Sequence, residues 1–339
     1  MENYFLNLDE DEIKTLERRY IILLDTSFWI HLLDGKNQKN LKLRDRLLNL
    51  AKKEKIICPL SAPTIWELRK QSSLTTNKSL EMIDNLSLNI SFRSSKDIFN
   101  FEIAHFLEYI ITGIYEPLTV SEKFGPLISY LASSFTLKGG CQDKLLSEQV
   151  YSFNKNLNLS EYLKIFKQRT TQKINYKLNY QTVNNRRREF VGKSTEKARR
   201  IEIEYIANNI IVPKLNDLRR KFSIDKQLKI TQKIKELPKS KKYNSAVEHI
   251  LKFMPFLSAF VEMNTISGLD NNRKDNPNDF FDRELLVYGL SYSSIFAADD
   301  KWVNSIIKHP EISKMFKFTK FAYKPKELDK HLDSIFTKN

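Results

Sequence analysis

The sequence predicts an α/β fold, a parallel sheet flanked by helices and interrupted by a large, mainly α-helical insertion. Three observations predict it. Tyr20–Leu24 and Ser294–Ala298 are short, unalternated apolar runs near opposite ends of the 339-residue chain, and each leads directly into aspartate. Such runs suit central parallel strands buried on both faces. Ile56–Leu60 is a third run of this kind, with helical sequence on both sides. From Ser72 to Gly268 helical periodicity dominates and no strand is expected. The expected organisation is therefore an N-terminal half-domain over 1–71, an insertion over 72–268 and a C-terminal half-domain over 269–339.

Taken in order, residues 1–19 are polar and helical in pattern, with Asp9–Glu12 as an acidic turn near a helix start. The strand at Tyr20–Leu24 leads through Asp25 into a helix from Ser27 to about Gly35, with Thr26 or Ser27 expected as its cap. A helix over Arg44–Lys55, the strand at 56–60 and a helix starting within Ser61–Thr64 follow. Inside the insertion the helical candidates are 98–111, 127–135, 160–168, 195–211 and 246–263. Polar punctuation at Asn271–Asp279 precedes a helix running to about Ser291. The last elements are the strand at 294–298, a helix at 302–307 and a strand over 316–321.

Composition excludes several classes. At 41% hydrophobic with 8 Gly and 10 Pro the chain can bury a core and is neither disordered nor fibrous. Two cysteines, Cys58 and Cys141, supply no disulfide framework or zinc site. The start lacks the basic and apolar regions of a secretion signal, and no stretch is apolar enough to span a bilayer, so a cytoplasmic protein without membrane attachment is expected. Charge is unevenly placed. Of the formal +15, Tyr151–Ser245 carries +16 (24 basic and 8 acidic residues), which leaves the remainder at −1. A basic insert on a near-neutral body suits a polyanion, and the candidate nucleic-acid contacts are Arg186, Arg187, Arg188, Lys193, Arg199, Arg200, Arg219 and Arg220. They stand among aromatics such as Tyr176, Phe190 and Tyr205. A solvated helical face is the alternative reading.

Carboxylates fall where an open parallel sheet binds ligands, beyond the carboxyl ends of its strands. Asp25 ends the first strand, Asp299 and Asp300 end the strand at 294–298, and Glu67 opens a helix after another. Asp279 and Asp282 share one helical face at i, i+3 spacing. Each has a plain structural alternative: Glu67 could complete a capping box with Thr64, Asp25 could cap a helix, Asp279 could favour a helix start, and Asp299-Asp300 could be a turn. Converging hard oxygen ligands would bind Mg²⁺ or Mn²⁺, and without a cation they would repel one another.

Leu23-Leu24-Asp25-Thr26-Ser27, Pro63-Thr64-Ile65-Trp66-Glu67-Leu68, Asn278-Asp279-Phe280-Phe281-Asp282-Arg283 and Ile295-Phe296-Ala297-Ala298-Asp299-Asp300 resemble the acidic motifs of PIN-domain nucleases. The resemblance covers residues 20–70 and 275–320. It implies a PIN-like sheet sandwiched by helices and a metal-dependent nuclease, most often an endoribonuclease; toxins and RNA-processing enzymes occur in the family. The implied catalytic and metal-binding residues are Asp25, Glu67, Asp279, Asp282 and Asp300, with Mg²⁺ or Mn²⁺ as cofactor and RNA, tRNA included, as substrate. Glu67 and Asp279 stand 212 positions apart, far more than is usual in the family, and Ala297-Ala298 replaces the usual Thr before the last Asp.

Other chemistries lack their motifs: there is no Walker A loop, dinucleotide glycine fingerprint or zincin pair. Gly113-Ile114-Tyr115 matches half of another nuclease signature and is read as chance. His31, one turn into its helix, could approach Asp25 but reads better as core or surface, and Trp29, Trp66 and Trp302 read as core. The alternatives to an endoribonuclease are a DNA or flap-type nuclease of the same fold and a nucleic-acid-binding protein with a degenerate site. The insert could instead bind a regulatory protein, as an antitoxin binds a toxin, which fits a role in defence.

Overall fold

The computed structural model describes residues 8–34, 37–70, 77–127, 159, 188–211, 213, 223–236, 253–270 and 279–337. In chain order its elements are α1 (Glu10–Arg18), β1 (Tyr20–Leu24), α2 (Thr26–Leu33), α3 (Gln38–Lys52), β2 (Ile56–Ile57), α4 (Ala62–Lys70), α5 (Asn77–Ser87) and β3 (Ile90–Phe92). Then come α6 (Ser95–Thr112), α7 (Val120–Lys123), β4 (Phe124–Pro126), α8 (Thr195–Ile206) with a π-helical turn at Ala207–Ile211, α9 (Ile224–Glu236) and α10 (Pro255–Leu269). The chain closes with α11 (Asp279–Tyr292), β5 (Ile295–Ala297), α12 (Lys301–Ile307), α13 (Pro310–Met315), β6 (Lys320–Ala322) and α14 (Pro325–Phe336).

The fold is mixed α/β and mostly helical, with a four-stranded parallel sheet flanked by helices in the order β2-β1-β5-β6. The two halves of the α/β pattern meet in its centre: Ile22, Leu23 and Leu24 pair with Ile295, Phe296 and Ala297. Both strands are apolar without alternation because both faces are covered. Ile22, Leu24, Ile295 and Ala297 join a buried cluster with Phe28, Trp29 and Leu32 of α2, Leu43 and Leu47 of α3, Ile83 and Leu86 of α5, and Leu328 and Leu332 of α14. Gly289 lets α11 lie against β5, since a Cβ there would stand 2.5 Å from the Phe296 ring.

Several expectations are corrected. The stretch expected to lack strands contains β3 and β4, an antiparallel pair of three residues each. Leu60 bridges to Ser91, so the apolar run at 56–60 touches β1 at its start and β3 at its end. The helix expected from Arg44 begins at Gln38, where Asn37 caps it by accepting from the Lys39 and Asn40 amides. The last strand lies at 320–322, after α13, and α14 was not expected at all. Residues 128–135 and 160–168 of the helical candidates, and residues 246–252 of another, lie outside the described residues.

By its internal contacts the chain forms two compact units. One comprises Met1–Ser94, Thr119–Gln172 and Glu284–Asn339, and the other Ser95–Leu118 and Lys173–Arg283. Thus 72–94 and 119–172, expected in the insertion, group with the α/β unit. In the helical unit α8 packs on α10, and α6 contributes Phe99, whose ring meets Phe256 and Phe260 edge-on at 5.1 and 5.3 Å. Its buried Glu262, Glu202 and Glu102 each have a partner within the unit. The Arg199 guanidinium grips Glu262 through two nitrogens, and Glu202 accepts from Asn264 at 2.9 Å. Glu102 accepts from the Phe256 and Leu257 amides at 2.7 and 2.8 Å, capping α10 from α6. Among the described residues no helix is long and apolar enough to cross a membrane.

Candidate functional site

Asp25 is where the sequence analysis placed it, at the carboxyl end of a central strand. Its amide donates to the Ala297 carbonyl at 2.9 Å, so the β1–β5 ladder runs one residue beyond Leu24 and fixes the backbone. Asp25, rather than Thr26 or Ser27, caps α2: Oδ1 accepts from the Phe28 amide at 2.8 Å and from the Ser27 hydroxyl at 2.6 Å. Oδ2 accepts from the Asp299 amide at 3.2 Å. The capping alternative is therefore real and coexists with any other role, because Oδ2 still faces the Asp299 segment. Asp25 is 7% exposed.

Burial pushes the Asp25 carboxyl up from 3.8 to about 7. The Ser27 hydroxyl and the Phe28 amide pull against that rise, the negative charge of Asp299 adds to it, and the Asp299 amide again opposes it. A carboxylate at this edge thus carries a desolvation cost that its hydrogen bonds do not offset. A cation beside it would.

Glu67 reaches the same edge by a side-chain contact. The helix carrying it starts at Ala62, and Ser61 supplies the cap, its hydroxyl accepting from the Thr64 amide at 3.3 Å. Glu67 therefore lies in the second turn, not the first, and forms no capping box with Thr64. Its half-buried carboxylate instead accepts from the Thr26 hydroxyl. Thr26 stands next to Asp25, so one loop presents one carboxylate and holds another.

The β5 end separates the two adjacent aspartates. Asp300 caps α12, its Oδ1 accepting from the Val303 amide at 2.9 Å. Asp299 lies against Asp25 through its amide and against His31, whose Nε2 is 3.3 Å from Asp299 Oδ2. Asp299, not Asp300, is thus paired with Asp25. The signal was present in sequence, since a helix beginning at Lys301 makes Asp300 its natural cap. Asp279 starts α11, with its side chain outside the described residues; Asp282 is half-buried in that first turn, and both belong to the helical unit.

Among the described residues no group of three or more His, Cys, Asp or Glu side chains is placed to hold a metal ion. Asp25 and Asp299 form a pair, with Glu67 attached through Thr26. Mg²⁺ is commonly held by one or two carboxylates, with waters and substrate phosphate completing six oxygens, so a buried carboxylate facing a half-exposed one fits its donor chemistry.

Comparison with protein-family models, with curated proteins and with solved structures finds no match.

The basic candidates separate in the structure. Arg188 and Lys193 are exposed, and Arg200 is exposed while pairing with Glu196 one turn away at 3.0 Å. Arg199 is buried against Glu262, so its charge is spent inside the helical unit. Phe190 is buried and pressed on Gly268, which removes it as a stacking platform. Arg186, Arg187, Arg219, Arg220 and Tyr176 lie outside the described residues. Gly113 ends α6 in the left-handed conformation at φ +75°, a structural reason for the glycine in Gly113-Ile114-Tyr115. Trp29 is core and Cys58 is buried, its thiol pushed up by desolvation.

Proposed function

We propose that the protein is a metal-dependent nuclease with a PIN-like centre, acting on RNA, and that the carboxyl edge of β1 and β5 is its active site. The observation that carries this reading is Asp25. It is a nearly buried carboxylate at the centre of a parallel sheet, facing a second carboxylate and held near neutral pKa by burial, with no basic side chain among the described residues as its counter-charge. In the helical unit, by contrast, the buried carboxylate of Glu262 has its own arginine.

Asp25 and Asp299 would hold Mg²⁺ or Mn²⁺, with Glu67 contributing from the neighbouring helix; Asp279, Asp282 and Asp300 remain candidates from the motif resemblance. When bound, the cation lowers the pKa of water and offsets charge developing on the phosphate. The chain's own residues do the positioning. Ser27 and the Phe28 amide fix Asp25, Thr26 fixes Glu67, and the ladder bond from Asp25 to Ala297 keeps the two strand ends at constant spacing. Exposed Arg188, Lys193 and Arg200, with the arginines at 186–187 and 219–220, would bring the polyanion.

The test is cleavage of a mixed RNA pool, total tRNA included, beside single-stranded and branched DNA. Wild type with Mn²⁺ or Mg²⁺ is expected to cut RNA, EDTA to stop it, and Asp25→Asn to lower the rate by about 100-fold or more, since Asn keeps the helix cap while removing the charge. Preferential cutting of DNA would move the substrate. Equal RNA binding with no cutting by either protein would favour a non-catalytic nucleic-acid-binding protein.

A further inference from the structure

We infer that His31 is a positioning residue of this site, holding the Asp299 carboxylate beside Asp25; the inference rests on the reading of Asp25 and Asp299 as a cation-binding pair. The Asp299 backbone is held by its amide, which donates to Asp25 Oδ2 at 3.2 Å, and by its carbonyl, which accepts from Asn304 Nδ2 at 3.5 Å. Its side chain follows a strand end, is 39% exposed and would turn freely in water. His31 Nε2 stands 3.3 Å from Asp299 Oδ2. An ionised carboxylate can only accept, so the contact is a hydrogen bond in the tautomer of His31 that carries its hydrogen on Nε2.

The imidazole is itself braced. Its ring meets the fully buried Phe28 ring edge-on, with centroids 6.4 Å apart and planes at 80°. The Phe28 amide is the one that donates to Asp25 Oδ1. One residue of α2 therefore fixes Asp25 through its backbone and His31 through its side chain, while Thr26 of the same helix holds Glu67. A single short helix sets the orientation of three carboxylates from three different parts of the chain. A histidine–carboxylate contact of this kind orients a ligand, and losing such a partner commonly weakens metal binding by 10- to 100-fold. At 42% and 39% exposure the same pair contributes little to stability, so a purely structural role would leave metal affinity unmoved.

The experiment measures Mn²⁺ binding to the full-length protein by the loss of free-ion electron paramagnetic resonance signal, without nucleic acid. The proteins are wild type, His31→Ala, His31→Gln and Asp25→Asn, the His31 variants checked for an unchanged melting temperature in EDTA and Asp25→Asn for a cooperative melt no lower than that of wild type. The expected result is a loss of about tenfold or more in affinity for His31→Ala. His31→Gln, which retains a donor, should recover most of it, and Asp25→Asn should abolish binding. Wild-type affinity in His31→Ala, with binding lost in Asp25→Asn, overturns the role of His31 and leaves the site standing. Equal loss in the Ala and Gln variants also overturns it, because the hydrogen bond would then not be what matters. Mn²⁺ binding that survives Asp25→Asn overturns the site and this inference together.

Discussion

Two regions of the molecule bury carboxylates and treat them oppositely. In the helical unit, Glu262 is gripped by both sides of the Arg199 guanidinium, and Glu102 spends both oxygens on the first free amides of α10. At the carboxyl edge of the sheet, Asp25 is also buried and, among the described residues, meets amides, a hydroxyl and another acid. A charge removed from water must be matched or it destabilises the fold. Glu262 is matched by a charge from within the sequence, which is the signature of architecture. Asp25 has no basic partner among the described residues, as the proposed cation site requires.

The contrast can be broken most severely at Arg199. Arg199→Ala removes the guanidinium that grips the buried Glu262 carboxylate, and unfolding in urea should show a loss of about 3–5 kcal/mol. Arg199→Met combined with Glu262→Leu should recover most of that loss, because two apolar side chains then replace a balanced pair.

At the sheet edge, removing a charge should have the opposite sign. The Asp25 carboxyl has a folded value of about 7 against 3.8, so the folded state binds its proton more tightly than the unfolded state does. Its stabilising effect is complete below about pH 4 and is lost as pH rises through about 7. In EDTA, wild type should therefore weaken relative to Asp25→Asn across that window, by on the order of 4 kcal/mol in total. Denaturant titrations at pH 4.5, 6 and 8 check the trend, and a difference that grows the other way would mean that Asp25 has an internal counter-charge after all.

A smaller effect sharpens the architectural half. Glu102→Ala uncovers the Phe256 and Leu257 amides and should cost about 2 kcal/mol, with Glu102→Gln losing less because its carbonyl still accepts. Both variants should leave cleavage per folded molecule unchanged, measured after correction for the folded fraction.

What was legible in sequence follows from the same division. The strands ending in Asp25 and Asp299 were readable because burial on both faces demands an unbroken apolar run. β3 and β4 were not, because three residues carry no period and Phe124–Pro126 includes a glycine and a proline, both poor strand formers. Arg199 looked like its neighbours because nothing local says that a charge turns inward toward a partner 63 positions away. Likewise, the approach of His31 to Asp299 across 268 positions is a product of parallel pairing, which composition around His31 does not reveal. The capping role of Asp300 was within reach, since a helix starting at Lys301 takes the residue before it as its cap.

The most direct test of the central claim is thermal unfolding at pH 8 of wild type and Asp25→Asn, each in EDTA and in saturating Mg²⁺. If the buried carboxylate waits for an external cation, Mg²⁺ raises the wild-type melting temperature by the equivalent of about 2–3 kcal/mol at a hundredfold excess over its dissociation constant. Asp25→Asn should then start higher in EDTA and gain nothing from the ion. Equal gains in both proteins, or none in either, would contradict the claim that this edge of the sheet is built to receive a metal.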